Sequence, residues 1–173
     1  KDLAFFGQFG KKGVGYYVTE LKESIGNILG LDQHWNVAII GMGHLGAALA
    51  NYQGIARLGF HLVAIFDVNP VVIGTRVGER RVEDIAYLAE IIAERDVQIG
   101  VIAVPAAHAQ DVADQLVAAG IRGIWNFAPV KLQVPPNVPF VSEDLSVGLS
   151  SLSYYLTHTS AENEELSDKK LPD

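Results

Sequence analysis

Three glycines, at positions 41, 43 and 46, form the stretch whose spacing points most directly to ligand binding. In a GxGxxG pattern the first glycine permits a tight turn, the second lets backbone approach a pyrophosphate, and the third lets a helix pack closely on the preceding strand. The N-terminus of that helix adds N–H donors for phosphate oxygens. We therefore predict a dinucleotide site, with a glycine-rich turn that holds no nucleotide as the alternative. The candidate contacts are Gly41, Met42, Gly43, His44, Leu45 and Gly46.

A second candidate contact, Asp67, ends the next apolar stretch, about twenty residues after the turn. An acid at this position accepts hydrogen bonds from ribose hydroxyls and repels a 2′-phosphate, so the sequence favours NAD(H) over NADP(H). The alternative is an acid that caps the turn at Asn69 and Pro70.

A parallel sheet is needed to bring these residues together, and the periodicity predicts one. Apolar strands alternate with helices, as in an α/β fold of the Rossmann type with helices on both faces of the sheet. A loop with Pro70, Gly74 and Gly78 precedes the helix 83–95, and residues 127–140 form an extended crossing. The predicted strands are 36–41, 61–67, 98–104 and 122–126, and the predicted helices are 18–29, 44–58, 83–95, 107–119 and 143–158.

The last of these helices, 143–158, is apolar around much of its circumference, more than one contact face needs. We predict that it is buried against another subunit; the alternative is an edge helix that lies on the sheet. Residues 142–144 are predicted to cap it. The charged, aperiodic tail 159–173 is predicted to be disordered.

Composition excludes several classes of protein. The chain has 173 residues, 49% apolar and 19% charged, which indicates a globular domain. A net charge of −7 has the wrong sign for nucleic-acid binding over the whole surface, so any DNA contact must be local. Without cysteine there is neither a disulfide nor thiolate chemistry. We expect no membrane span and a cytoplasmic location. His34, His61 and His158 show no metal-ligand spacing, and we predict no metal site.

Six stretches, taken in order, resemble the Rex family of bacterial redox-sensing transcriptional repressors. They are KDLAFFGQFGKKGVGYYV, GMGHLGAALANY, FDVNP, VIAVPAA, AAGIRGIWNFAPV and EDLSVGLSSLSYYL. The basic stretch placed directly before the glycine turn is the most specific of them, because dehydrogenases do not begin in this way. The resemblance implies a winged-helix DNA-binding domain, a Rossmann domain that binds NADH or NAD+, and a homodimer.

The resemblance also implies a domain organisation and roles for single residues. Residues 1–30 correspond to a remnant of the winged-helix domain and a linker helix, and we expect the chain to be truncated before Lys1. Residues 31–141 correspond to the Rossmann domain and 142–158 to a domain-swapped dimerisation helix. The DNA-binding candidates are Lys1, Lys11 and Lys12; the added cofactor contacts are Val68, Val104, Pro105 and Ala106; the dimer or switch candidates are Tyr52, Asp144 and Leu145.

The implied function is a repressor that binds operator DNA as a homodimer and leaves it when NADH binds, thereby sensing the NADH/NAD+ ratio. We expect no enzymatic activity, because no evident catalytic set is present among the histidines and lysines. One alternative is a small NAD-dependent oxidoreductase with His108 as general base. Another is a CoA-binding domain of the ligase type, against which Asp67 argues because CoA carries a 3′-phosphate.

Overall fold

The computed structural model describes residues 33–168 and, before them, the helical positions Val18, Lys22, Ile25 and Gly26. Lys1, Lys11 and Lys12, most of the predicted helix 18–29 and residues 169–173 lie outside the described residues. Strands and helices alternate as predicted. The elements are β1 Trp35–Ile40, α1 His44–Ala50, α2 Gln53–Arg57, β2 Phe60–Asp67, β3 Arg76–Val77, β4 Arg80–Asp84, α3 Leu88–Glu94, β5 Ile99–Ile102, α4 Ala106–Ala118, β6 Gly123–Asn126, β7 Phe140–Ser142 and α5 Ser146–Asp168.

The strands form one seven-stranded sheet in the order β3-β4-β2-β1-β5-β6-β7. Every pair is parallel except the β3–β4 hairpin, which confirms the predicted Rossmann-type α/β architecture. Strand β1 lies between β2 and β5. The chain passes from β1 to β2 on one side, and the later crossover from β4 brings it to β5 on the other side of β1. Ligands of such sheets bind outside the carboxyl ends of the strands at this switch point.

The two faces of the sheet are covered unequally. One face carries a large buried cluster that includes Ile40, Phe66 and Ile102 and continues into α3 and α4. The buried cluster on the other face is smaller and comprises Val37, Ile39 and Val101. The short helices α1 and α2 leave much of this second face open.

The predicted helices 44–58 and 83–95 are only partly helical in the structure. The predicted helix 44–58 is divided in two, because Tyr52 has an extended backbone (φ −80°, ψ 102°) and Asn51 donates its side-chain amide to the carbonyl of Ala47 over 2.8 Å. The predicted loop and the start of the predicted helix 83–95 instead form the β3–β4 hairpin. Gly78 supplies the positive φ (+60°) of its turn, and β4 ends at Asp84.

The C-terminal helix begins later and ends later than predicted. Its first residue is Ser146, whose backbone N–H donates to the side chain of Asp144 over 2.8 Å. It continues to Asp168, where the sequence pattern predicts disorder. Residues 161–165, AENEE, are mostly strong helix formers, so the helix propagates without an apolar stripe. Within the described residues, none of the helices has the length and apolar character needed to span a bilayer.

Candidate functional site

The glycine turn joins β1 to α1 at the carboxyl edge of the sheet. Gly41 has φ +99°, and a Cβ there would lie 2.7 Å from the carbonyl oxygen of Ala103 and 2.8 Å from a methyl carbon of Val104. A Cβ on Gly46 would overlap the carbonyl oxygen of Gly41, so α1 reaches the turn because position 46 has no side chain. These two positions show the tight turn and the close helix packing that the sequence predicts.

Gly43 differs from the other two glycines of the turn. A Cβ on this residue would meet nothing within 4 Å, and Gly43 is exposed as the residue before α1. Its backbone is thus open to a ligand. His44 is also exposed and begins α1, whereas Met42 and Leu45 are half-buried in the turn.

Asp67 is fixed beside this turn at the end of β2. One carboxylate oxygen accepts a hydrogen bond from the backbone N–H of Met42 over 2.6 Å, and the other accepts from the N–H of Asn69 over 2.8 Å. The residue therefore both anchors the glycine turn and caps the following turn. A carboxylate has about four acceptor positions, so capacity for ribose hydroxyls remains. Val68, the next residue, is 71% exposed at the rim.

The opposite side of the turn is formed by the end of β5. Ala103 donates its N–H to the carbonyl of Ile40 over 2.8 Å, which brings Val104 against Gly41. Pro105 and Ala106 follow as exposed residues at the start of α4. The structure thus gathers Val104, Pro105 and Ala106 next to the glycine turn, while Asp67 and Val68 lie on its other side.

Asp84 and Asn126 also lie at this edge of the sheet. Asp84 is in register with Asp67 on the neighbouring strand, although its position was predicted to be helical. Val77 and Val82 lie on either side of Gly78–Glu79. Their spacing is the hairpin signal from which the strand that ends at Asp84 could have been predicted. Asn126 is fully buried, and its amide group bonds to Ala128 and other groups of the protein. It therefore supports the loop after β6.

A separate apolar groove of about 740 Å³ lies on the thinly covered face of the sheet. Tyr52 stands at its lip, 64% exposed, at the break between α1 and α2. Its lining includes Val37, Ile39, Leu49, Tyr52, Trp125 and Val141.

Helix α5 presents the apolar residues predicted to face a second subunit. Leu149 and Leu152 are 71% and 54% exposed, and Leu145, just before the helix, is 67% exposed. An edge helix packed on the sheet would have these residues buried, so the structure contradicts that alternative. Tyr154 and Tyr155 are exposed on the same helix.

Asp144 is held at the start of α5 by Ser146. Hydrogen bonds from the hydroxyl of Ser146, over 2.6 Å, and from its backbone N–H keep the pKa of Asp144 below its ordinary value of 3.8. The preceding residue, Glu143, accepts a hydrogen bond from the indole N–H of Trp125 over 3.3 Å. The entrance to α5 is thereby tied to β6 and the groove.

Comparisons with known proteins bear on both regions. Residues 32–130 match the CoA binding domain family and belong to it. A redox-sensing transcriptional repressor Rex from Clostridium perfringens is 46% identical over 158 residues, which is 91% of this chain and 74% of the relative. A repressor of the same name from Carboxydothermus hydrogenoformans is 49% identical over 154 residues, 89% of this chain and 74% of the relative.

The chain belongs to the Rex family.

Solved structures agree with this membership. The crystal structure of RSP, a Rex-family repressor, superposes with a TM-score of 0.86 at 40% identity, covering 94% of this chain and 76% of RSP. RSP in complex with β-NAD+ and operator DNA gives a TM-score of 0.86 at 40% identity, covering 98% of this chain and 78% of that one. RSP in complex with β-NADH gives 0.81 at 41% identity, covering 87% and 73%. The recognition of a Rex-type chain from its sequence is confirmed.

Proposed function

We propose that this Rex-family chain binds NAD(H) at the glycine turn and represses transcription as a homodimer that releases operator DNA when NADH binds. The observation that carries this proposal is the turn itself. Gly43 leaves its backbone open, and Asp67 is fixed beside it by the N–H of Met42. Relatives at 46–49% identity are redox-sensing repressors, and RSP has been solved with both NADH and NAD+.

Different residues around the turn are proposed to contact different parts of the cofactor. The backbone of residues 41–46 takes the pyrophosphate, and Asp67 takes the hydroxyls of the adenosine ribose, with Val68 beside it. Val104, Pro105 and Ala106 line the nicotinamide end. Since Asp67 already accepts two backbone hydrogen bonds, its carboxylate needs little reorganisation when the ribose arrives.

Discrimination between the two cofactors follows from their charge and shape. NAD+ carries one more positive charge on the nicotinamide, and its ring is planar. An apolar nicotinamide site gives the charged ring no compensating partner, so it favours NADH. A ligand shifts an equilibrium only by its difference in affinity for the two states, and this difference is what couples electron supply to the shape of the dimer.

The dimer itself is proposed to form when α5 of one chain lies in the apolar groove of another. Leu145, Leu149 and Leu152 are exposed in the single chain, and the groove offers the complementary apolar surface. Burial of one leucine side chain contributes about 1.5–3 kcal/mol. Tyr52 at the lip of the groove and Asp144 at the start of α5 are the proposed switch residues, because they stand where helix and groove meet.

DNA binding is assigned to Lys1, Lys11 and Lys12, which as cations neutralise phosphates and make the affinity salt-dependent. A repressor of this kind acts in the cytoplasm. No catalysis is proposed, since relatives of this chain are repressors. Accordingly, NADH should not be consumed in the presence of carbonyl compounds, and His108→Ala should leave cofactor binding unchanged.

CoA is the second candidate ligand, because residues 32–130 belong to the CoA binding domain family. Asp67, with Asp84 in register beside it, places negative charge near the ribose. A phosphate on that ribose, as in CoA and NADP(H), is therefore disfavoured by like-charge repulsion. NAD(H) carries no such phosphate.

Calorimetric titration of the purified chain with NADH, NAD+, NADPH and CoA tests the proposal. We expect one NADH per chain, weaker NAD+ by about 5–150-fold, and no competition by CoA. Displacement of NADH by equimolar CoA would instead establish the second candidate. Equal affinities for NADH and NAD+ would remove the sensing mechanism.

A further inference from the structure

We propose that His34 and His61 form a binding site for a divalent transition-metal ion at the amino edge of the sheet. The sequence spacing of the histidines gave no sign of this site, because the two residues are 27 positions apart. The fold brings them together. The proposal is independent of the NAD(H) site, which lies at the opposite, carboxyl edge, about 20 Å away along β1.

The strand register places the two side chains on one side of the sheet. His61 lies in β2 directly opposite Asn36 of β1, and His34 precedes Asn36 by two residues. Because side chains alternate along a strand, positions 34 and 36 point the same way. The N–H of Trp35 donates to the carbonyl of Gly59 over 2.9 Å. This bond holds the backbone next to His34 against the backbone two residues before His61.

The two imidazole rings face each other through nitrogen atoms. Nε2 of His61 lies 3.1 Å from Nδ1 of His34, and the ring centroids are 5.1 Å apart. Both side chains are exposed in the single chain, and His61 also lines the apolar groove.

This separation suits two ligands of one metal ion. With metal–nitrogen bonds of about 2.0–2.1 Å, nitrogen atoms at angles between square-planar and tetrahedral lie about 2.9–3.4 Å apart. Neutral imidazole suits Zn2+, Ni2+ and Cu2+, whereas Mg2+ and Ca2+ prefer oxygen ligands. For both lone pairs to point at a shared ion, each ring must turn away from the direct line between the two nitrogen atoms.

The site is open to further ligands. Among residues 33–168 and the four earlier described positions, no group of three or more histidines, cysteines or acids is placed to hold a metal. Because both imidazoles are exposed in the single chain, water can supply the remaining ligands. The second imidazole is already held beside the first, so its binding is intramolecular and raises the affinity by about 10²-fold or more over a single histidine.

The experiment titrates Cu2+, Ni2+ and Zn2+ separately into the whole, untagged chain by calorimetry in neutral to slightly alkaline buffer. His34→Ala and His61→Ala are compared with two matched controls, His108→Ala and His158→Ala, which remove equally exposed histidines elsewhere. The conservative variants His34→Gln and His61→Gln are included in case an alanine variant does not fold, and circular dichroism checks folding. Quenching of tryptophan fluorescence by Cu2+ gives a second readout, since Trp35 is adjacent to His34.

We expect one ion per chain, with Cu2+ bound more tightly than Zn2+ as the Irving–Williams order requires. Each variant of the pair should weaken binding by about 10²-fold, while both controls bind like the wild type. Wild-type chain that binds none of the three ions would show that the pair is only an imidazole–imidazole hydrogen bond. Binding that survives the loss of both His34 and His61 would equally overturn the proposal.

Discussion

The glycine turn and the C-terminal helix differ in how far a single chain completes them. At the turn, Gly41, Gly46 and Asp67 are held by contacts within the same chain. On α5, the apolar side chains of Leu149 and Leu152 are exposed, and the apolar groove beside Tyr52 stands open.

The difference shows which part of the proposed sensor is preorganised. Cofactor binding needs little rearrangement of the turn, because the backbone and the acid already lie in position. In the proposed dimer, the apolar surfaces of α5 and the groove gain their stabilisation on association. In the proposed sensor, a cofactor bound at the glycine turn therefore changes the association of α5 with the groove.

The largest expected effect comes from changing the helix rather than the turn. Leu149→Glu should weaken dimerisation by about 4 kcal/mol, or on the order of 10³-fold, because each dimer loses two buried leucines. Sedimentation equilibrium measures it. Val71→Glu, an equally exposed valine near the turn, is the matched control and should leave the dimer intact. Equal dissociation of both variants would place the interface elsewhere.

The next prediction compares alanine substitutions at two glycines of the turn. Gly46→Ala should lower the free energy of unfolding by about 1–3 kcal/mol, since its Cβ overlaps the carbonyl of Gly41. Gly43→Ala has open space and should keep its stability within about 0.5 kcal/mol. Its affinity for NADH should nevertheless fall by about tenfold, or 1.4 kcal/mol. Denaturant unfolding and calorimetry measure both. Unchanged NADH affinity in Gly43→Ala would argue against pyrophosphate binding at this position.

A smaller effect is expected from Asp67→Asn. It removes a charge-assisted acceptor of ribose hydroxyls, which should weaken NADH binding by about 1–2 kcal/mol. NADPH should gain affinity relative to NADH, because the repulsion of its 2′-phosphate falls. Asp111→Asn, on the exposed face of α4, serves as the control. An unchanged NADPH/NADH ratio would remove Asp67 from the specificity argument.

The smallest effect concerns pH at the start of α5. Hydrogen bonds from Ser146 hold the pKa of Asp144 below 3.8. A lowered folded-state pKa means that the stabilisation is present above pH 3.8 and is lost as the pH falls through the folded value. Ser146→Ala should therefore raise the pKa of Asp144 toward 3.8, measured by carboxyl NMR titration. No change in that pKa would show that the hydroxyl of Ser146 does not lower it.

The glycine turn was predictable because its requirements are local. The spacing of three glycines, an apolar strand and a following acid specify it within about 30 residues. The alternation of strands and helices likewise predicted the parallel sheet. The break at Tyr52 was not predictable, because the apolar periodicity continues across it and only the side-chain bond of Asn51 marks the end of α1.

Features that depend on distant residues were missed. Strand β7 has only three residues and exists because it pairs with β6 across the proline-rich crossing. The contact of His34 with His61 arises from strand register, which sequence spacing does not encode.

Coupling between the two regions is tested most directly by measuring the NADH and NAD+ affinities of wild type and Leu149→Glu side by side. If NADH stabilises one shape of the dimer, linkage requires that this shape binds NADH more tightly, by about 1–3 kcal/mol. The account predicts that wild type prefers NADH and that the dissociated variant binds the two cofactors with more nearly equal affinities. An identical preference in dimer and monomer would contradict it.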